Sequence, residues 1–259
     1  MILFISGLVG LLCGSFANVL IARVPEGRDW KRERSRCPQC EIQISWYDNI
    51  PVLSWLWLGR RCRTCHAPIS AVYPTVEIVV AAGFVAVVAV HGVSLLAVFL
   101  VYLVMISAAL VVIDARHRRL PDALVLPALM VGAVAVVAHA ALTQEWFIVA
   151  RAASGAAILG GYYFVLWWVQ PKGLGFGDVK TAGLLGLALG ALGWAPLAVG
   201  AVLGPLLGGL AAMGAMLRHR RLRGLRIAYG PWLITGAWVG VLVGDSVWAG
   251  YFAAVSSWT

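Results

Sequence analysis

Of 259 residues, 61% are hydrophobic and only 12% charged, whereas a soluble domain carries about 25% charged residues. A water-soluble enzyme is therefore excluded, and a polytopic, all-α membrane protein is expected. The net charge of +9 is carried by the segments between apolar runs, which points to anionic lipid headgroups and away from nucleic acid.

Taken in chain order, the apolar runs give eight candidate transmembrane helices at approximately 2–22, 74–91, 94–113, 122–141, 148–169, 178–192, 195–217 and 230–252, each judged against the roughly 20 residues a bilayer requires. The sixth and seventh are short or poorly separated, so a count of seven stays open. The first run lacks a basic start and an A-x-A-like cleavage site, and its positive charge follows it, so it is expected to persist as a helix. Cys13 within it is expected to be a small, inert, buried thiol. Domain boundaries are expected at 1–23 for this helix, 24–73 for a small soluble domain and 74–259 for a multi-helix membrane domain.

The 24–73 segment holds the other four cysteines as CPQC (Cys37, Cys40) and CRTC (Cys62, Cys65), with 21 residues between the pairs. Two C-x-x-C turns at such spacing can supply four thiolates to one tetrahedral structural zinc. Redox dithiols or disulfides are the competing reading, which a reducing compartment disfavours. So short a segment buries little core, and a metal staple would compensate. His66 is set aside as a ligand because four thiolates complete the shell. The aromatic residues Trp30, Trp46, Tyr47, Trp55 and Trp57 are expected to pack around the knuckles rather than lie among headgroups.

Asp114, in VVIDARHRRLPD, closes the third run, and Asp178, in LGFGDVK, opens the sixth. Carboxylates at apolar borders are expensive and mark functional sites by default. Two that converge on one water can divide the work of hydrolysis, the charged one acting as base and the protonated one as acid. The bland alternative is interfacial ion pairing, Asp114 with Arg116, Arg118 or Arg119 and Asp178 with Lys180. Gly173, Gly175 and Gly177 favour the functional reading, since they permit tight turning and close approach of another chain. Pro121 and Asp122 read as a helix start, and Glu77 is a weaker third acid that caps its helix or supports a substrate.

Nineteen of the twenty Lys and Arg residues fall at odd-numbered loops, with Arg151 the exception. By the positive-inside rule, those loops are cytoplasmic, both termini lie outside, and Asp114 and Asp178 share the cytoplasmic face.

These segments together resemble the type IV prepilin peptidase family: GSFANVLIARVP (14–25), CPQC, YDNIPVLSWLWLGRRCRTCHAPIS (47–70), YPTVEI (73–78), IDARHRRLPD (113–122), GFGDVK (175–180) and YGPWL (229–233). The resemblance implies a bacterial inner-membrane aspartic protease that removes the basic leader of type IV prepilins or pseudopilins, with Asp114 and Asp178 catalytic. It also implies methylation of the new N-terminus from S-adenosylmethionine, associated with the four-cysteine domain. Glu41 and His66 stand where members commonly have glycine, and no residues are assigned to S-adenosylmethionine. Two alternatives remain: a methyltransferase without protease activity, and a zinc-bearing scaffold or ion-conducting protein with structural aspartates.

Overall fold

The computed structural model describes residues 1–30, 34–171, 173–219 and 228–256. Of the basic residues counted above, Lys31, Arg32, Lys172, Arg220, Arg221, Arg223 and Arg226 lie outside the described residues. The helices are α1 (Ile2–Arg23), the short α2 (Leu53–Trp57), α3 (Val72–His91), α4 (Leu95–His117), α5 (Asp122–Thr143), α6 (Phe147–Val169), α7 (Phe176–Leu192), α8 (Trp194–His219) and α9 (Gly230–Ser256). Each long helix matches an apolar run to within a few residues. Seven of the described helices are long and apolar enough to cross a membrane. The remaining long helix, α7, has 17 residues and extends only about 25 Å.

The chain divides into two compact units, 1–112 and 113–259. In the first, α1 packs on α3. A Cβ at Gly14 would stand 2.6 Å from the Glu77 Cα, so the two backbones meet where any larger side chain would separate them. Asn18 ties the same helices by donating to the Tyr73 carbonyl at 3.0 Å. Cys13, on α1, is half-buried.

Between α1 and α3 the chain forms two knuckles of one design. In the first, the Cys37 N–H donates to Ile42 and the Glu41 N–H to Cys37; in the second, Cys62 donates to Ala67 and His66 to Cys62. Each is closed by one antiparallel bridge, Arg36 with Gln43 and Arg61 with Pro68. Glu41 and His66 adopt φ of 56° and 57°, the left-handed region that glycine enters freely and other residues enter at a cost of about 1–2 kcal/mol. The knuckles thus keep their shape without glycine. Glu41→Gly and His66→Gly are each expected to stabilise this segment by up to about 1 kcal/mol, less the flexibility glycine adds to the unfolded chain. Glu41→Val should do the reverse, and resistance to protease digestion within 24–73 measures both.

The aromatic residues divide differently from expectation. Trp55 packs inward, donating from Nε1 to the Ile69 carbonyl at 3.1 Å beneath the Arg60 guanidinium. Trp46 and Trp57, however, are 82% and 89% exposed, so they do not pack around the knuckles. They flank a turn and short helix too small to cover them. Asp48 receives Arg63 in a two-pronged ion pair at 2.8 and 2.6 Å, which joins that turn to the second knuckle and holds the carboxyl below its usual range.

In the second unit, α7 contacts α5, α6, α8 and α9. All residues from Leu184 to Ala191 are buried, leaving no polar face, as expected of a helix enclosed by others. Gly186 makes this possible against α6, where its backbone lies directly on Gly155. Small residues at such a crossing let helices approach closely. On α8, Gly204 and Gly208, four residues apart, serve α9 and the residue before it: Gly204 meets Leu233, and Gly208 seats the Tyr229 ring.

Arg151, the basic residue outside the odd-numbered loops, caps a helix. It reaches from α6 to the end of α7, donating from Nε to the Gly190 carbonyl at 2.7 Å and from Nη2 to Ala191 at 2.7 Å and Leu192 at 3.3 Å. These carbonyls have no partner further along the helix, and a cation also complements the negative helix end. Arg151→Leu should lower stability by about 1.5–3 kcal/mol, seen as a reduced thermal midpoint in detergent. An unchanged midpoint would remove the capping role.

Candidate active site and thiol cluster

Asp114 lies one turn inside the end of α4, not at its last residue as expected. The helix closes on Arg118, whose φ is +52° and whose N–H donates to the Asp114 carbonyl at 2.8 Å. Asp178 occupies the third position of α7, one turn after Gly175. Both carboxylates belong to the second unit and are buried, with 5% and 8% exposure respectively.

Each is held by a glycine N–H. Gly230, the first residue of α9, donates to Asp114 Oδ2 at 2.9 Å, and Gly175 donates to Asp178 Oδ2 at 3.0 Å. A Cβ at Gly230 would lie 2.8 Å from Asp114 Oδ2 and 3.3 Å from Leu120. A Cβ at Gly177 would lie 3.0 Å from the same Leu120 side chain and 3.1 Å from its carbonyl oxygen. Leu120 therefore touches both the strap that holds Asp114 and the turn that presents Asp178. The carboxylates are near enough for the charge of Asp114 to act on Asp178.

Among the described residues neither aspartate forms an ion pair. Lys180 pairs instead with Asp122, at 2.6 Å, so the alternative of an interfacial ion pair between Asp178 and Lys180 does not hold. Asp122 is the first residue of α5 after Pro121, in keeping with its reading as a helix start. The glycines act by close approach and backbone donation: neither Gly173, Gly175 nor Gly177 has a positive φ.

Glu77 belongs to the first unit, where it is buried. Its Oε2 accepts the Val52 N–H at 2.7 Å, fixing a turn in which Val52 has φ +60°, an outlying conformation for a β-branched residue. Gly230, Tyr229, Tyr163 and Leu120 were not singled out in sequence as site residues. The Tyr163 and Tyr229 hydroxyls meet at 3.0 Å, and both tyrosines lie within electrostatic range of Asp178. The YGPWL stretch was the available signal for Tyr229 and Gly230; Tyr163 had none within its aromatic run.

In the first unit, the sulfurs of Cys37, Cys40, Cys62 and Cys65 all lie within 4.8 Å of one another and could hold a metal ion. All five cysteines are free thiols. Backbone N–H groups of Cys65 and Thr64 bring the Cys62 thiol down to about 7. Cys65 rises to about 11 although the Ala67 N–H opposes the change, because burial and the three neighbouring thiols favour its protonated form. Four thiols this close lose protons in sequence, and a cation would remove that conflict.

The architecture and these groups define a polytopic helical membrane protein with a carboxylate pair and a compact four-thiol module. Residues 8–91 match the bacterial peptidase A24 N-terminal domain, and residues 99–213 match the type IV leader peptidase family. The chain is 35% identical to the prepilin leader peptidase/N-methyltransferase of Aeromonas hydrophila, over 93% of this chain and 90% of the relative. It is likewise 35% identical to that of Pseudomonas aeruginosa, with the same coverage, and 38% identical to that of Myxococcus xanthus over 70% of this chain and 54% of the relative. No solved structure matches. The chain belongs to the type IV leader peptidase family, which makes it an enzyme and removes the scaffold and ion-conducting alternatives.

Proposed function

We propose that this enzyme removes the basic leader from type IV prepilins or pseudopilins at the cytoplasmic face of the bacterial inner membrane, with Asp114 and Asp178 as the hydrolytic pair, and then methylates the exposed N-terminus. The observation that carries the proteolytic reading is that both aspartates are buried without an ion pair to any described residue, while a glycine N–H secures one oxygen of each. Ordinary interfacial pairing is satisfied elsewhere, by Lys180 and Asp122.

In the reaction, the ionised carboxylate takes a proton from water as the water oxygen attacks the scissile carbonyl carbon. The protonated carboxylate donates to the leaving nitrogen as the C–N bond breaks. The products are the leader's new C-terminal carboxyl and the mature protein's free amine. Loop charge supports the cytoplasmic placement of this step and the external placement of the termini.

The proposed metal is structural zinc, held by Cys37, Cys40, Cys62 and Cys65. Zinc–sulfur bonds of about 2.3 Å in a tetrahedron set neighbouring sulfurs about 3.8 Å apart, and Cys37 Sγ lies 3.7 Å from Cys65 Sγ. These thiolates would hold an ion that organises the knuckles, with no part in peptide hydrolysis. S-adenosylmethionine, the methyl donor implied by the relatives' names, has no residues assigned to it. The described 24–71 backbone is knuckles, turns, two short 3-10 helices and one short α-helix.

Incubating purified enzyme with a prepilin and S-adenosylmethionine, then weighing the substrate, tests the proposal, because leader loss and methyl addition are separate mass changes. Methylation of an intact prepilin without cleavage would establish the protease-free methyltransferase alternative.

A further inference from the structure

Thr181 lies within α7 at 1% exposure, and its hydroxyl has no hydrogen-bond partner among the described residues. A helical threonine ordinarily satisfies its hydroxyl on the carbonyl four residues back. Three others here do so: Thr75 donates to Ala71 at 2.8 Å, Thr143 to His139 at 2.9 Å and Thr235 to Pro231 at 2.7 Å. Thr181 departs from that behaviour in the most enclosed helix of its unit.

One turn earlier on α7, Asp178 Oδ1 is also buried and without a partner among the described residues, while Oδ2 is occupied by Gly175. Positions three apart on a helix lie side by side on its surface. Leaving a buried polar group unpaired costs about 1–3 kcal/mol, so two adjacent orphans form a place where one water can satisfy both. Buried waters are retained where several polar atoms converge in this way.

We propose that Thr181 belongs to the hydrolytic site, its Oγ1 and Asp178 Oδ1 together holding the attacking water. This rests on the peptidase reading above and adds a third side chain to it. Thr181 Oγ1 accepts one O–H of the water and Asp178 Oδ1 the other, which leaves an oxygen lone pair directed at the scissile carbonyl. Thr181 orients the water and exchanges no proton; attack and C–N cleavage proceed through the carboxylates as described.

The test uses the full-length enzyme in detergent with a prepilin substrate. Thr181→Val preserves the side-chain shape and deletes the hydroxyl. It should lower kcat about tenfold to a hundredfold with KM nearly unchanged, while leaving the thermal midpoint close to native, because the hydroxyl's partner is the water and no described protein group loses a hydrogen bond. Thr181→Ser should restore most of the rate. Wild-type kcat in Thr181→Val, equal impairment in Thr181→Ser, or loss of folding in Thr181→Val would each overturn the proposal. Asp178→Asn separates the two levels: if it remains active, the peptidase reading itself fails; if it is inactive while Thr181→Val keeps the native rate, only the role of Thr181 fails.

Discussion

Asp178→Asn, and separately Asp114→Asn, should leave the prepilin leader attached, with kcat reduced about a thousandfold or more, since each removes one half of the acid–base pair. Asparagine is close to aspartate in shape, and its carbonyl can still accept the glycine N–H, so the fold should persist. Asp122→Asn is the matched control. It loses an ion pair to Lys180 whose aspartate side chain is 55% exposed, a kind of contact worth about 1 kcal/mol or less, and should process substrate normally. Mass spectrometry of a quenched time course separates these outcomes. Cleavage by either asparagine variant at more than about a tenth of the native rate would be too fast for a residue supplying proton transfer.

The second large effect is expected at the thiols. The native enzyme should carry one zinc per chain, and Cys37→Ser or a strong chelator should remove it. Structural zinc provides an apparent 10–16 kcal/mol in zinc-finger peptides, far more than a segment the size of 24–73 can recover from its small core. That segment should then become sensitive to protease, and methyl transfer should fail. Leader cleavage should survive, because Asp114 and Asp178 belong to the other compact unit. Elemental analysis and substrate mass read the two consequences together. Native protein purified without chelators but lacking metal would refute the zinc assignment, and equal loss of cleavage and methylation would refute the separation of roles.

Much of the helical frame was legible because a bilayer imposes a length on every apolar run. The Asp114 run continued as helix for another turn, through polar residues that periodicity does not mark. Arg151 could not be interpreted from its loop, since its three acceptors are carbonyls about forty positions away. The exposed Trp46 and Trp57 were misread as packing residues: composition reveals aromatic content but not whether a short segment has enough surface to cover it. Glu41 and His66 show the converse. They stand where the family commonly has glycine, yet both adopt the glycine-like conformation.

The site was legible in its carboxylates and opaque in what holds them. Asp114 and Asp178 stood out through charge in an apolar setting, and Gly175 through its place before Asp178. The hold on Asp114 comes from Gly230, 116 residues away, and a backbone donor has no side-chain signature. Thr181 was equally quiet, since one hydroxyl after G-x-G-D does not disclose whether the preceding carbonyl is its partner.

The glycine contacts to the two aspartates also bear on how such a site can diverge. Every residue except proline carries an N–H, so the donor itself survives most substitutions at 175 and 230; what changes is whether the backbone still fits there. At 230 an added methyl group would press on Asp114, whereas at 175 it would stand 3.2 Å from Asp178 Oδ2. Evolutionary freedom is thus expected to be unequal at the two positions: a small residue at 175 asks Asp178 to yield by a few tenths of an ångström, while one at 230 must displace Asp114 and press on Leu120 as well.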